Sequence, residues 1–292
     1  MKSVCLLCGG DTSPFLEIER YGYRFSTARC QRCKFVSIDP RPGKDAVENL
    51  YKMDYFQGEG FDKSINYIES LEKIEENTSL FNSRLEMIER FSTKGTILDA
   101  GCGVGDFLVT ARERGWNVEG VEISEDAANV CRKNNITVYT DTLENIKLTD
   151  KYDCIIMVEV IEHLMDPYAA LANCYRALKK GGLILIQTGN IESVYARIAG
   201  KNWFYFLFGH LNYFSPKTLG SLLRKNNFVI EQLFFGDEIS LGAKSRGFWV
   251  GKKKSSAGNW MKFIYMLLFN TTRKLHIGEL SAGAMVFYAR KR

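Results

Sequence analysis

The stretch "ILDAGCGVGDF", residues 97–107, decides how the chain is read. A short apolar run ends in an acid, Asp99, and turns through Gly101, Gly103 and Gly105. Such a turn offers a ligand bare backbone N–H groups at the start of the helix that follows. The spacing is G-x-G-x-G, not the G-x-G-x-x-G of dinucleotide sites, and an acid in front of it repels a diphosphate but suits an amino group. The next apolar run, "WNVEGVEI", brings Glu122, where a carboxylate can take both hydroxyls of a ribose. A third acid, Asp141, follows "ITVYT" and can accept from an exocyclic amine. A nucleoside that carries an amino acid satisfies all three.

Outward from this turn, short apolar runs alternate with helical stretches. "TILDA", a helix over about 106–114, "WNVEGVEI", a helix over about 125–133 and "ITVYT" come first. "YDCIIMV", a helix over about 167–179 and "GGLILIQT" follow. Strands apolar on both faces and separated by helices predict an α/β fold with a doubly wound parallel sheet. "SPKTLGSLLRKNN" predicts a helix with Ser215 as N-cap and Pro216 at the first position. "FVIEQLFF" and "AGAMVFYAR" predict a closing antiparallel pair. Before the sheet, Ile65, Ile68, Leu71, Ile74, Leu85 and Ile88 mark one face of a helical connector over about 62–91.

The length, 292 residues with 46% hydrophobic, accommodates one sizeable core and a smaller module. No run reaches the roughly 18 apolar residues of a membrane span, and "MKSVCLLCGG" lacks a signal peptide's apolar centre. The expected compartment is therefore the cytoplasm, where paired Cys-x-x-Cys is a metal site more often than a disulfide. "CLLC" and "CQRC" supply Cys5, Cys8, Cys30 and Cys33 at the spacing of a four-cysteine zinc ribbon, with Gly9, Gly10 and the basic Lys34 easing the knuckle turns and the thiolate charge. Cys102, Cys131, Cys154 and Cys174 fall at apolar positions and read as core. "DPRPG" then breaks regular structure as a linker. From Tyr195 onward sixteen Lys/Arg face four Asp/Glu, +12, against 23 and 30, −7, before it. The C-terminal third therefore favours an anionic partner.

Taken together, "ILDAGCGVGDF", "VEGVEIS" and "YTDTL" resemble the cofactor site of class I S-adenosylmethionine-dependent methyltransferases, over roughly residues 45–292. The resemblance implies a Rossmann-like seven-stranded sheet with an antiparallel last strand. It implies that Asp99, Gly101, Cys102 and Gly103 face the methionine part and that Glu122 holds the ribose. Ile123, Asp141 and Thr142 would frame the adenine, with Tyr55 and Glu159 completing the cofactor set. "VEVIEHLMDPYAALANCYRALKKGGLILIQTGN", "HLNYFSPKTLGSLLRKNNF" and the cofactor cap "LYKMDYF", residues 50–56, resemble a subgroup with ubiquinone-biosynthesis O-methyltransferases and sugar and lipid-linked methyltransferases. In that subgroup the E-x-x-E-H cluster, here Glu159, Glu162 and His163, is associated with a divalent metal near the acceptor. The expected organisation is a zinc ribbon over 1–43, a helical connector and cap over 44–92, and a methyltransferase domain over 93–292. Within the last, an aromatic lid spans about 195–214 and an amphipathic basic insertion about 240–278.

Methyl transfer is an in-line displacement at an already electrophilic carbon, so the protein holds the acceptor in line and, for a hydroxyl, removes a proton. Histidine suits that task. His163, past the fourth strand, and His210, in the aromatic stretch, are the candidate bases, whereas His276 reads as a surface residue. The leading function is methylation of a small-molecule or carrier-linked metabolite such as a sugar, quinone precursor or lipid-linked intermediate. The basic C-terminal third suits a phosphorylated substrate or an anionic membrane surface. A second reading is an RNA methyltransferase that grips RNA with the ribbon and the basic third. A third is a non-enzymatic adaptor that keeps the fold. The sequence leaves oxygen, nitrogen and carbon acceptors open.

Overall fold

The computed structural model describes residues 3–48, 50, 74–236 and 283–292. Seven strands form the main sheet: β4 (Thr96–Ala100), β5 (Asn117–Glu122), β6 (Thr137–Thr140), β7 (Tyr152–Val158), β8 (Leu178–Gly189), β10 (Phe228–Phe235) and β11 (Ala284–Lys291). Their order is β10-β11-β8-β7-β4-β5-β6. β4 through β8 pair in parallel, and β11 runs antiparallel between β8 and β10. This is the doubly wound, seven-stranded arrangement the sequence predicts, closed by the expected antiparallel strand. Ile155, Ile184, Leu185 and Phe287 are each buried on the central strands, which is why those strands read as continuous apolar runs.

The helices begin where local chemistry starts them. Ser124 caps Glu125–Lys133 by accepting from the Ala127 N–H, and Asp166 caps Pro167–Ala177 through Tyr168 and Ala169. Ser215 and Thr218 form a reciprocal capping box on Pro216–Lys225, with Pro216 in the first turn as expected. Of the connector, the helix Ile74–Phe91 lies among the described residues and buries Leu85 and Ile88. The remainder of the connector, the cap with Tyr55, the insertion over about 240–278 and His276 lie outside them.

The N-terminal segment forms β1 (Thr12–Arg20), β2 (Tyr23–Cys30) and β3 (Val36–Ile38). It does not stand apart from the main unit. β3 pairs with β9 (Asn212–Tyr213), so one four-stranded sheet, β1-β2-β3-β9, is built from two distant parts of the chain. Arg20 reinforces the junction by donating to the carbonyls of Phe204 and Asn202.

The aromatic stretch, expected as a lid over about 195–214, fills this junction. Trp203, Tyr205, Phe206 and Tyr213 are buried against Ile18, Phe25, Val36 and Ile38. A solvated cover would leave such rings half wet; burial between two sheets leaves Phe204 as the exposed member, at 53%. Trp203, fully buried, stacks on Tyr205 at 5.1 Å and meets Phe206 edge-on at 5.3 Å. Trp203→Ala is therefore expected to cost about 3–5 kcal/mol in urea denaturation; a cost below about 1 kcal/mol would show the stretch to be a loose cover.

Candidate active site

The sheet reverses its winding between β4 and β7, and ligands of such sheets bind outside the carboxyl ends of the strands at that reversal. The glycine turn lies there. Gly101, Gly103 and Gly105 have φ of 81°, 54° and 88°, a region that disfavours any side chain. Their surroundings differ. A Cβ on Gly101 would meet Val160 at 2.6 Å and one on Gly105 would meet the Cys131 thiol at 2.8 Å, whereas one on Gly103 would meet nothing within 4 Å. Gly101 and Gly105 thus serve the turn and its packing, and Gly103 faces the opening. The N–H groups of Gly101 and Cys102 donate to the Val121 carbonyl, tying the turn to β5.

Acids converge around that opening. Glu122 accepts from the N–H groups of Gly103 and Ser124, both at 2.9 Å. Burial pushes its carboxyl up, and these N–H groups oppose the shift. Asp99, also buried, is pushed up to about 7 by desolvation, against the pull of the Arg84 cation and reinforced by Glu122. Ile123, next in the chain after Glu122, is 39% exposed. Asp141 is exposed and accepts from Thr142 N at 2.7 Å and Asn145 Nδ2 at 3.1 Å, which fixes the rim loop.

The end of β7 carries the second half. Glu159 sits at a φ of 55° and accepts from the Tyr205 hydroxyl at 2.7 Å and Gln187 Nε2 at 3.3 Å. Glu162, fully buried in the 3-10 turn Ile161–His163, accepts from Thr188 at 2.9 Å and shares the single Tyr205 hydroxyl with Glu159. Desolvation, then the neighbouring Glu159, holds its carboxyl well above the usual range. His163 Nδ1 lies 2.9 Å from the Gly209 carbonyl, and His210 Nδ1 lies 2.8 Å from that of Tyr205. A carbonyl only accepts, so each Nδ1 carries a proton, and in a neutral ring Nε2 is then the nitrogen with the lone pair. Burial pushes His210 well below the usual histidine range, keeping it neutral. The two rings meet edge-on at 4.6 Å.

This alters the expected metal cluster. Ligand atoms of Glu162, His163 and His210 lie within 4.8 Å of one another. Glu159, held by Tyr205 and Gln187, is not among them, and His210 is.

The four knuckle cysteines also converge. Cys5 and Cys33 thiols lie 3.6 Å apart, Cys8 and Cys30 3.5 Å apart, and all four within 4.8 Å. Thiolates bound at about 2.3 Å in a tetrahedron stand about 3.8 Å apart, so the set fits zinc. Gly9 and Lys34 take positive φ in the knuckle turns. Cys30 is brought down to about 6: burial alone would raise it, and the N–H groups of Cys33 and Arg32 hold the thiolate. The other four cysteines are buried, as their apolar positions predict.

Sequence patterning does not single out Arg84, although it is the buried cation that opposes the shifts of both Asp99 and Glu159 and donates to Gln187 at 3.3 Å. Its signal is an arginine beside Leu85 on the inward stripe of a helix. Tyr205 reads in the sequence as part of a cover and proves to be the hydroxyl between two glutamates. Gln187 and Thr188 end the apolar run "LILIQT", and polar residues closing a buried strand are the corresponding signal.

A methyltransferase-domain family matches residues 26–233. A ubiquinone biosynthesis O-methyltransferase of Hydrogenovibrio crunogenus is 26% identical over 187 residues, which cover 60% of this chain and 70% of the relative. Among solved structures, an S-adenosylmethionine-dependent methyltransferase from Archaeoglobus fulgidus aligns with a TM-score of 0.53 at 24% identity, covering 77% of this chain and 99% of that one. Geranyl diphosphate C-methyltransferase from Streptomyces coelicolor aligns with a TM-score of 0.50 at 16% identity, over 72% and 77% of the two chains. These two likenesses concern the fold.

Asp99 gives a signed prediction. Its folded-state value of about 7 exceeds that of a free carboxyl, so the folded state binds the extra proton between about pH 4 and 7. Unliganded wild type must then lose stability relative to Asp99→Asn as pH rises through that window, by at most about 1.4 kcal/mol per pH unit. Parallel urea titrations of the two proteins measure the difference, and a constant gap contradicts it.

Proposed function

The chain belongs to the methyltransferase-domain family and is an S-adenosylmethionine-dependent methyltransferase, and we propose that it delivers the methyl group to a hydroxyl of a small or carrier-linked metabolite. The observation that carries this reading is the His163–His210 pair beside Glu162. Both imidazoles are fixed through Nδ1 to backbone carbonyls, so the neutral form of each ring accepts through Nε2. That is the tautomer a proton acceptor needs. The relative from Hydrogenovibrio, an O-methyltransferase by name, supports a hydroxyl acceptor, and the +12 C-terminal third supports an anionic one. The burial of the N-terminal sheet against the aromatic stretch supports a structural zinc ribbon over an RNA grip.

The site residues fit the cofactor. Bound there, S-adenosylmethionine supplies an electrophilic sulfonium methyl group. Asp99 would take its ammonium, Glu122 its ribose hydroxyls, and Gly103 would leave room for the methionine part, with Gly101 and Cys102 shaping the turn. Ile123, Asp141 and Thr142 would border the adenine. Glu159 would add negative charge beside the sulfonium, and Tyr55 would belong to the cap. His163 Nε2 would take the acceptor proton, with His210 packed against its ring. A second reading rests on the same convergence: Glu162, His163 and His210 would hold a divalent cation, a Lewis acid that lowers a hydroxyl pKa. Cys5, Cys8, Cys30 and Cys33 would hold zinc.

Radiolabelled methyl transfer to a panel of phenols, catechols and sugar phosphates tests the acceptor class. His163→Gln is expected to lower kcat by roughly 100-fold or more. Transfer only to amines, or undiminished transfer by the variant, contradicts the reading; loss of wild-type transfer after exhaustive chelation, restored by a divalent cation, selects the metal form.

Binding of S-adenosylhomocysteine supplies an independent prediction. An ammonium needs Asp99 ionised, so calorimetry should find affinity roughly tenfold weaker near pH 6 than near pH 8. Asp99→Asn should weaken binding and flatten that dependence. Equal affinity across the range contradicts the assignment of Asp99 to the ammonium.

A further inference from the structure

We propose that Asn212 and Arg41 are positioning residues that lock the Ile161–His163 turn, so that the N-terminal sheet sets the geometry of the acceptor half of the site. The inference rests on the reading of Glu162, His163 and His210 as that half.

Asn212 is fully buried, and its side-chain amide has one close partner and two longer ones. Nδ2 donates to the Leu164 carbonyl at 2.7 Å and lies 3.3 and 3.4 Å from those of Glu162 and Ile161. Its two N–H groups thus gather three carbonyls of the turn, on both sides of His163. Which way an amide points is set by its network, and here Arg41 sets it: Nη1 donates to Asn212 Oδ1 at 3.1 Å, turning Nδ2 toward the carbonyls. Arg41 Nη2 grips the far side of the turn through the carbonyls of Leu164 at 3.1 Å and Met165 at 2.9 Å.

Both residues belong to the N-terminal junction. Arg41 follows β3, and Asn212 lies on β9 opposite Ser37 of β3, with the Ile38 N–H donating to Leu211. The chain around the cysteine knuckles is thereby connected to the histidine turn by a strand pairing and a guanidinium. The cofactor acids have no part in this: Asp99 and Glu122 end β4 and β5 and are held by the glycine turn and Arg84.

A purely structural contact would change stability alone. Positioning must also change the environment of His163, whose Nδ1 proton faces the Gly209 carbonyl. The test is the imidazole nitrogen spectrum of the full chain, whose three histidines can be assigned by His210→Gln and His276→Gln. Arg41→Ala and Asn212→Asp are compared with wild type, each with S-adenosylhomocysteine calorimetry on the same preparation. Asn212→Asp keeps the size and removes the donors. The expected result is a shifted or broadened His163 signal, its Nδ1 proton exchanging roughly tenfold faster, with S-adenosylhomocysteine affinity within about threefold of wild type. Arg41→Lys, which keeps the charge but not the fork, should restore part of the signal. An unchanged His163 signal in the folded variants overturns the proposal, as does affinity lost in step with the signal. Arg41, half-buried, decides alone if Asn212→Asp does not fold. Absence of S-adenosylhomocysteine binding by wild type would instead count against the functional reading, and the histidine spectra are independent of it.

Discussion

Burying carboxylates is the constraint on which this site depends. Asp99, Glu122, Glu159 and Glu162 gather where β4, β5 and β7 end, and burial is the foremost cause of the upward shift at each of the four. An ionised group taken out of water costs several kcal/mol unless it is paired or hydrogen-bonded. The devices differ and are partly shared: two N–H groups for Glu122, the Arg84 charge for Asp99, the Thr188 hydroxyl for Glu162, and the Tyr205 hydroxyl with the same Arg84 charge for Glu159. Arg84 by itself does not balance four carboxyls. The surplus is met by protons in the unliganded protein, and the proposed ammonium would take their place, which would link proton release to binding at Asp99.

Much of the cofactor half is legible in the sequence because it is local. The turn from Asp99 to Gly105, the acid at Glu122 and the rim at Asp141 all lie within one β-α-β-α-β run, where strand ends and spacing fix the placement. Even there the sequence merges three glycines into one role. Only the packing separates Gly103, which faces open space, from Gly101 and Gly105, which accommodate Val160 and Cys131. Arg84 is hidden because a single cation in a helical stripe looks like an edge residue until the acids it faces are located.

The acceptor half is less legible because its contacts are long-range. Glu162 and His163 are adjacent in sequence, yet the groups that hold them, Tyr205, Thr188, Gly209 and Asn212, come from other segments. The aromatic stretch shows the same limit. Composition alone allows "NWFYFLFGHLNYF" two equally good readings, a cover or a core, and the pairing of β3 with β9 chooses the core. Tyr205 then does three tasks at once. Its ring packs on Trp203 while its hydroxyl reaches Glu159 and its carbonyl orients His210.

These two halves differ in what a mutation can alter. The proposed cofactor half is built on β4 and β5, each paired on both sides within the sheet, and moving it means moving strands that the core holds. The acceptor half hangs on a turn gripped from outside by an amide and a guanidinium. Changes in the N-terminal sheet can therefore be transmitted to Glu162 and His163 while Asp99 and Glu122 stay in place. In the proposed site such a sheet could keep one methyl donor and vary the acceptor, because the groups proposed to face the acceptor are supported by a different part of the chain from those proposed to face the donor.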